Sequence, residues 1–305
     1  MKAQRWTDQE IADQSGRIAL VTGANSGIGF EAARVLAEKG ATVILACRDE
    51  SRGTEAVTRI EALKPKGTVR FEALDLASLQ SVTDFAGRMA ESLPEIDLLI
   101  NNAGVMIPPF ARTEESFELQ FGVNHLGHFA LTAQLLPHLK PEAGSRVVVL
   151  SSVASRMGTI DYDDPNHEHK PYKAWPAYCQ SKLANLVFAE HLEEKLNAAG
   201  SPIHCVAAHP GWTNTDLQRN WSAARLFGKL CAMPAPQGAL PTLYAATAPD
   251  ARGGCFYGPD GWFEARGYPV GVKKQNRTNR EAFTAANKER LWSMSEEMTG
   301  LKLAP

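Results

Sequence analysis

Tyr178 and Lys182 stand four residues apart in the run Ala177-Tyr-Cys-Gln-Ser-Lys182. On a helix, residues i and i+4 share a face about one turn apart, so this phenol and this ammonium can converge on one point. The chemistry such a pair permits is proton transfer. A free tyrosine titrates near ~10, and a fixed positive charge beside it favours the phenolate and draws that value toward neutral pH. The pair alone equally describes a half-buried tyrosine beside a solvated lysine, so the elements around it decide.

Near the N-terminus, Arg17-Ile-Ala-Leu-Val-Thr22 reads as a short apolar strand, followed at once by Gly23-Ala-Asn25-Ser26-Gly27-Ile28-Gly29 and a helical pattern from Phe30 to Lys39. Strand, glycine turn and helix in that order make a phosphate cradle. Gly23 permits the tight turn, Gly27 the approach of backbone to a pyrophosphate, and Gly29 the packing of helix on strand. After Gly40 a second strand-like run, Ala41-Thr-Val-Ile-Leu-Ala46, arrives where a βαβ unit places it. Arg48 follows that strand. A carboxylate there accepts from a ribose 2′-OH, whereas a guanidinium suits a 2′-phosphate, so we expect NADP(H) in preference to NAD(H), with NAD(H) left open. Asp49, one residue on, is expected to cap the next helix instead.

The spacing Thr-Gly-x-x-x-Gly-x-Gly resembles the short-chain dehydrogenase/reductase family. The resemblance continues through Asp75-Leu76, Asn101-Asn102-Ala103-Gly104, Asn124 in Gly-Val-Asn-His-Leu-Gly, Ser151-Ser152, Tyr178-x-x-x-Lys182 and Pro210-Gly211, in the family's order over residues 16–216. Within the family, Ala46-Cys47-Arg48 and Ala177-Tyr-Cys-Gln-Ser-Lys-Leu-Ala-Asn185 look most like the retinol dehydrogenase and protochlorophyllide reductase branch. The resemblance implies that Asp75 and Leu76 lie beside the adenine and that Asn102, Ala103 and Gly104 leave room for the cofactor. It also implies that Pro210, Gly211, Thr213 and Thr215 meet its nicotinamide end. Tyr178 is then the proton donor in carbonyl reduction and the acceptor in alcohol oxidation. Ser152 hydrogen-bonds the substrate oxygen, Lys182 holds the nicotinamide ribose and tunes Tyr178, and Asn124 organises a water path toward Lys182. Hydride transfer to a carbonyl carbon develops negative charge on oxygen, which is why a proton and aimed donors are needed.

The wider chain agrees with an enzyme of this kind. At 305 residues and 44% hydrophobic content it can bury a sizeable core. A formal net charge of −2 and the lack of any basic block argue against a nucleic-acid partner. No apolar stretch approaches the ~18 residues that span a bilayer, and the N-terminal run lacks a signal-peptide core. Five cysteines without C-x-x-C spacing fit a reducing cytoplasm. Strands are expected at 17–22, 42–47, 68–73, 96–101, 145–151, 203–208 and near 254–257, with helices between. The fold class is therefore α/β, a single Rossmann-fold domain over residues 1–305 with a doubly wound parallel sheet covered on both faces.

An insertion, residues 155–176, is expected to form one wall of the substrate entrance. It carries Asp161, Asp163, Asp164, His167, Glu168 and His169, but a Pro-interrupted polar loop is usually solvated, and we assign it no metal. The other wall is expected from an apolar lid at 212–236, where Trp212, Leu217, Trp221, Leu226, Phe227, Leu230 and Met233 recur; core packing and a partner or membrane surface are the alternatives. An apolar lid implies a bulky apolar aldehyde, ketone or alcohol as substrate. His128, His138, His191 and His204 are assigned no chemistry. The C-terminal extension, 257–305, with a helix near Arg280–Met298, is expected to close the substrate side. The resemblance offers the helix faces carrying Tyr178 and Asn124 as a homodimer surface, beside a monomeric alternative. Two further functions stay open: reduction of a conjugated C=C bond, and a non-catalytic NADPH-binding sensor or scaffold.

Overall fold

The computed structural model describes residues 5–213, 232–271 and 279–305. Eight strands form one sheet: β1 (Ile18–Thr22), β2 (Thr42–Cys47), β3 (Thr68–Ala73), β4 (Leu98–Asn101), β5 (Arg146–Leu150), β6 (His204–Ala208), β7 (Phe256–Pro259) and β8 (Pro269–Gly271). Their order is β3-β2-β1-β4-β5-β6-β7-β8. The first seven are parallel, and the order reverses between β1 and β4, which opens a crevice at the carboxyl ends of these strands.

Apolar residues run without a break through the central strands because both faces are covered, and alternate residues serve opposite cores. Leu20, Ile44, Leu99 and Val147 point to one core, which holds Phe85, Phe129 and Phe188. Ala19, Val43, Leu98 and Val148 point to the other, which holds Phe30, Leu36 and Leu243. The first core is covered by α3 (Leu79–Ser92), α5 (Gly127–Leu135) and α6 (Ala174–Ala198). The second is covered by α1 (Gly27–Glu38), α2 (Glu50–Glu61) and α7 (Ala235–Thr247). Asp49 caps α2 as expected, its carboxylate accepting the Arg52 N–H at 3.0 Å.

Ahead of α5 the chain forms a short α4 (Leu119–Phe121) and then a π turn, Gly122–Leu126, so that one helical rod carries a wide turn at Asn124. Such turns interrupt the regular ladder and recur at functional sites. No described helix is long and apolar enough to cross a membrane.

Two expectations are refined. The sheet is not wholly parallel, since β8 runs antiparallel to β7, pairing Tyr257 with Gly271 and Pro259 with Pro269. A three-residue strand with a proline and a glycine carries almost no strand signal. The C-terminal helix α8 (Ala285–Thr299) does not close the substrate side. It packs against α6 and α5, where Trp292 meets Phe188 of α6 at 5.9 Å and Phe129 of α5 at 5.6 Å between ring centroids. Lys288 Nζ, buried, donates to Glu190 at 2.9 Å. This packing buries Phe188 on α6 within the chain's own core.

Candidate active site

The glycine loop is shaped for close backbone approach. Gly23 has φ 66° and lies so near the next strand end that a Cβ would sit 2.9 Å from Ala103 Cα. A Cβ on Gly29 would meet the Asn102 amide and lie 2.6 Å from the Gly23 carbonyl. Ser26 stands at the N-cap of α1 without a side-chain capping bond, leaving the first-turn N–H groups of the helix to the cleft. Thr22, which opens the motif but was given no role from sequence, ties this loop to its neighbour. Its Oγ accepts the N–H groups of Asn102 and Ala103 at 2.9 Å each, and its carbonyl accepts Asn102 Nδ2 at 2.7 Å.

These residues open onto a cavity of ≈ 850 Å³. It is lined by Gly23, Asn25, Ser26, Gly27, Ile28, Gly29, Arg48, Asp75, Leu76, Asn102, Ala103, Gly104, Ser152, Tyr178, Lys182, Pro210, Gly211 and Thr213. Of the residues expected from sequence, Asn124 lies just behind this lining and Thr215 lies outside the described residues. Arg48 Nη1 is 3.9 Å from Asp75 Oδ2, and Arg52 adds a second guanidinium to the same end. The shape and charge of this end fit a dinucleotide with an anionic group beyond its ribose: a cradle without Cβ atoms, a helix N-terminus and two guanidiniums.

At the other end the reactive groups converge. Ser152 follows β5, caps the single-turn helix Val153–Met157, and lies within hydrogen-bonding reach of the Tyr178 hydroxyl. The Ser151 hydroxyl instead donates to the Lys182 carbonyl at 2.6 Å, which separates the roles of the two serines. Lys182 Nζ donates to the Leu150 carbonyl at 3.2 Å. Asn124 Oδ1 accepts the Val105 N–H at 2.7 Å, and its Nδ2 donates to the Val105 carbonyl at 3.0 Å and Ser181 Oγ at 2.9 Å. Gly104 keeps this corner narrow: a Cβ there would stand 3.1 Å from Asn124 Oδ1 and 3.4 Å from Lys182 Nζ.

Burial governs how the pair titrates. It pushes Tyr178 up to about 12, with the Ser152 hydroxyl pulling the other way, and it lowers Lys182 to about 8. The expectation that Lys182 draws Tyr178 toward neutral pH is therefore not met in this arrangement. The phenol loses more solvation than its neighbours return, and the ammonium is turned to a backbone carbonyl. Burial thus favours the protonated phenol at neutral pH.

Much of the remaining lining is apolar: Trp212 was named from sequence and Met157, Trp175 and Phe263 lie in segments expected near the substrate, whereas Met106, Pro108, Leu119 and Val123 were missed. Trp175 had a legible signal, standing three residues before Tyr178 on one helix face, and its ring lies 5.9 Å from that of Tyr178. Both ends of the 155–176 insertion reach the cleft through Met157 and Trp175, while its acidic middle is spent on its own backbone. Asp164 accepts the N–H groups of Glu168, His169 and Lys170, and Asp161 pairs with Lys170. No group of His, Cys, Asp and Glu able to hold a metal occurs among the described residues.

The lid expectation divides. Trp212 lines the cleft, but Met233 does not; it is fully buried, with its N–H on the Trp212 carbonyl at 2.8 Å. Leu217, Trp221, Leu226, Phe227 and Leu230 lie outside the described residues. From the C-terminal extension it is Phe263 and Ala265 that reach the cleft, and no described residue after 271 does.

Comparison with known proteins follows the same line. A family model for the short chain dehydrogenase matches residues 17–163. Polyprenol dehydrogenase of Mus musculus is 42% identical over 301 residues, spanning 95% of this chain and 86% of its own. Retinol dehydrogenase 13 of Homo sapiens is 40% identical over 297 residues, spanning 94% and 86%. A crystal structure of a protein from Mycobacterium Paratuberculosis is similar with a TM-score of 0.82 and 41% identity, over 98% of this chain and 99% of that one.

Proposed function

The chain belongs to the short-chain dehydrogenase/reductase family and is an oxidoreductase, and from that premise we propose that it interconverts an apolar aldehyde or ketone and its alcohol with NADP(H). The observation that carries this reading is one cleft with two characters. Guanidiniums and open helix N–H groups line one end, aromatic and aliphatic side chains line the other, and Ser152, Tyr178 and Lys182 stand along the same wall.

Gly23, Gly27 and the first turn of α1 would hold the pyrophosphate, Arg48 and Arg52 the 2′-phosphate, and Lys182 the nicotinamide ribose. When bound, NADPH supplies the hydride that becomes the carbinol hydrogen. The chain's own part is played on oxygen. The Ser152 hydroxyl donates to the carbonyl oxygen and holds it beside Tyr178, whose phenol proton is delivered as negative charge develops there. The charged Lys182 stabilises the resulting phenolate, and a proton taken up from solvent restores the phenol. Asn124 fixes the position of Lys182 by clamping the backbone at Val105 on one side and Ser181 on the other. The apolar lining sets the substrate class, and the relatives named for polyprenol and retinol support an apolar alcohol or aldehyde.

The test is to follow nicotinamide absorbance with NADPH and NADH in parallel against apolar aldehydes, ketones and enones. Turnover of aldehydes or ketones with NADPH supports the reading; preference for enones moves the reaction to C=C reduction. In the same assay Arg48→Ala should weaken NADPH by about tenfold or more and NADH by less than about twofold, since a charge-assisted phosphate pair contributes roughly 1.5–3 kcal/mol. Equal weakening of both would remove Arg48 from phosphate recognition.

A further inference from the structure

Glu264 stands between Phe263 and Ala265, both of which line the cleft. Its Oε2 lies 3.1 Å from Nε2 of His209, the residue before the Pro210–Gly211 turn. Its Oε1 takes the guanidinium of Arg156, which belongs to the single-turn helix that Ser152 caps. The backbone beside it is joined to the same turn, with the Trp212 N–H donating to the Ala265 carbonyl at 2.8 Å. Gly211 is packed so closely that a Cβ would lie 2.6 Å from that carbonyl and 2.9 Å from the Glu264 carbonyl.

The backbone at this junction is strained. Phe263 has φ 50° and Glu264 φ 56°, consecutive non-glycine residues in the left-handed region. Such a conformation persists only where its surroundings over-determine it. Here they are the two side-chain partners of Glu264 and its own N–H, which donates to the Gly261 carbonyl at 2.9 Å. The carboxylate is mostly buried, and burial pushes it up, yet His209 and Arg156 outweigh that and hold it below the ordinary carboxylate range.

The consequence is the placement of Phe263. Tyr178 at the floor of the cleft is 5% exposed and Phe263 on its lining is 69% exposed, so the apolar wall runs from reactive centre to rim. We propose that Glu264 is a positioning residue that fixes Phe263 at the rim, and that Phe263 makes the chain select long apolar carbonyls over short ones. A short aldehyde is held at Ser152 and Tyr178 and stops before the rim; a long chain reaches Phe263 and gains its contact. The inference rests on the carbonyl–alcohol reading above.

The experiment compares decanal with propanal, using NADPH and the full chain, for the wild type, Glu264→Gln, Phe263→Ala, Phe263→Leu and the double variant. Glu264→Gln and Phe263→Ala should each lower kcat/KM for decanal about tenfold, chiefly through KM, and for propanal less than about threefold, the scale on which an apolar pocket discriminates. Phe263→Leu should retain most of the preference. The double variant should be no worse than Phe263→Ala, because Glu264 acts through Phe263. NADPH affinity should stay unchanged in all of them. Equal losses on the two aldehydes, or a parallel loss of NADPH binding, would overturn the proposal. Should Glu264→Gln fail to fold, the two Phe263 variants decide it. If the wild type reduces neither aldehyde, the reaction reading fails separately, and calorimetric titration of decanol into the NADPH-loaded chain decides the inference. About tenfold weaker binding by Phe263→Ala supports it; unchanged binding, or no binding by the wild type, overturns it.

Discussion

Tyr178 and Lys182 are set apart from an ordinary surface pair by burial, at 5% and 4% exposure. Desolvation moves their titrations in opposite directions, Tyr178 to about 12 and Lys182 to about 8. Only Lys182 then changes charge near neutral pH, and the sign of its effect follows. In the proposed mechanism the ammonium present below about 8 stabilises the phenolate left by proton donation, so carbonyl reduction is favoured there. As pH rises through that value the charge is lost. Reduction should therefore fall on the alkaline side, by at most tenfold per pH unit, while alcohol oxidation, in which the same groups must accept a proton, should rise over the same range. Measuring kcat/KM against pH in both directions checks this; reduction that climbs through pH 8 would contradict the assignment. At this scale most of the residues brought to the cleft were legible, because Tyr-x-x-x-Lys, the glycine loop and Arg48 stand out by type and spacing. Glu264 was not legible, because what distinguishes it is a left-handed backbone and partners 108 and 55 residues away.

The elements explain how distant residues are brought to one corner. The rod that contains α4, the π turn and α5 presents both Asn124 and His128 inward. His128 Nε2 is 2.9 Å from Thr22 Oγ, and Nδ1 is 3.0 Å from the Asn124 carbonyl. Nδ1 faces a carbonyl and so carries the ring proton, leaving Nε2 to accept from the Thr22 hydroxyl, a shorter contact than its 3.4 Å approach to the Ile100 carbonyl. A neutral histidine thus bridges the end of β1 to the π turn, a structural role consistent with assigning it no proton chemistry. Burial lowers it to about 4 from an ordinary 6.5, so the unfolded chain binds this proton first as pH falls. Stability is full above 6.5 and declines toward about 4, the gap amounting to about 3 kcal/mol at 1.36 kcal/mol per pH unit. Denaturant unfolding at neutral pH and at about pH 4 should show a smaller acid loss in His128→Gln than in the wild type, by up to about that amount. An identical acid loss in both would remove His128 as a cause. Sequence periodicity found the strands and helices but could not find the π turn, whose residues Gly-Val-Asn-His-Leu read as regular helix. Nor could it find β8, which is too short to show alternation.

Across the whole molecule, alternation of apolar runs and helices foretold a sheet with both faces covered. The reversal of strand order then places the cleft at one end of that sheet, with the cofactor cradle on one side of the switch and the Ser152–Tyr178–Lys182 wall on the other. What α8 covers was not readable, because an amphipathic C-terminal helix does not reveal which surface it seeks. Packing around one cleft couples ligand to fold. NADPH at about a hundred times its Kd should stabilise the chain by about 2.7 kcal/mol, a Tm rise of several degrees, with NADH at equal concentration giving less. Equal rises would contradict a cleft built for the extra phosphate. The central claim, that this cleft performs proton-coupled hydride transfer through Tyr178, is tested most directly by measuring NADPH-dependent turnover and NADPH affinity side by side in Tyr178→Phe. The account predicts a loss of roughly 10²–10⁴-fold in kcat with unchanged affinity. Turnover near the wild-type rate would show that the proton comes from elsewhere.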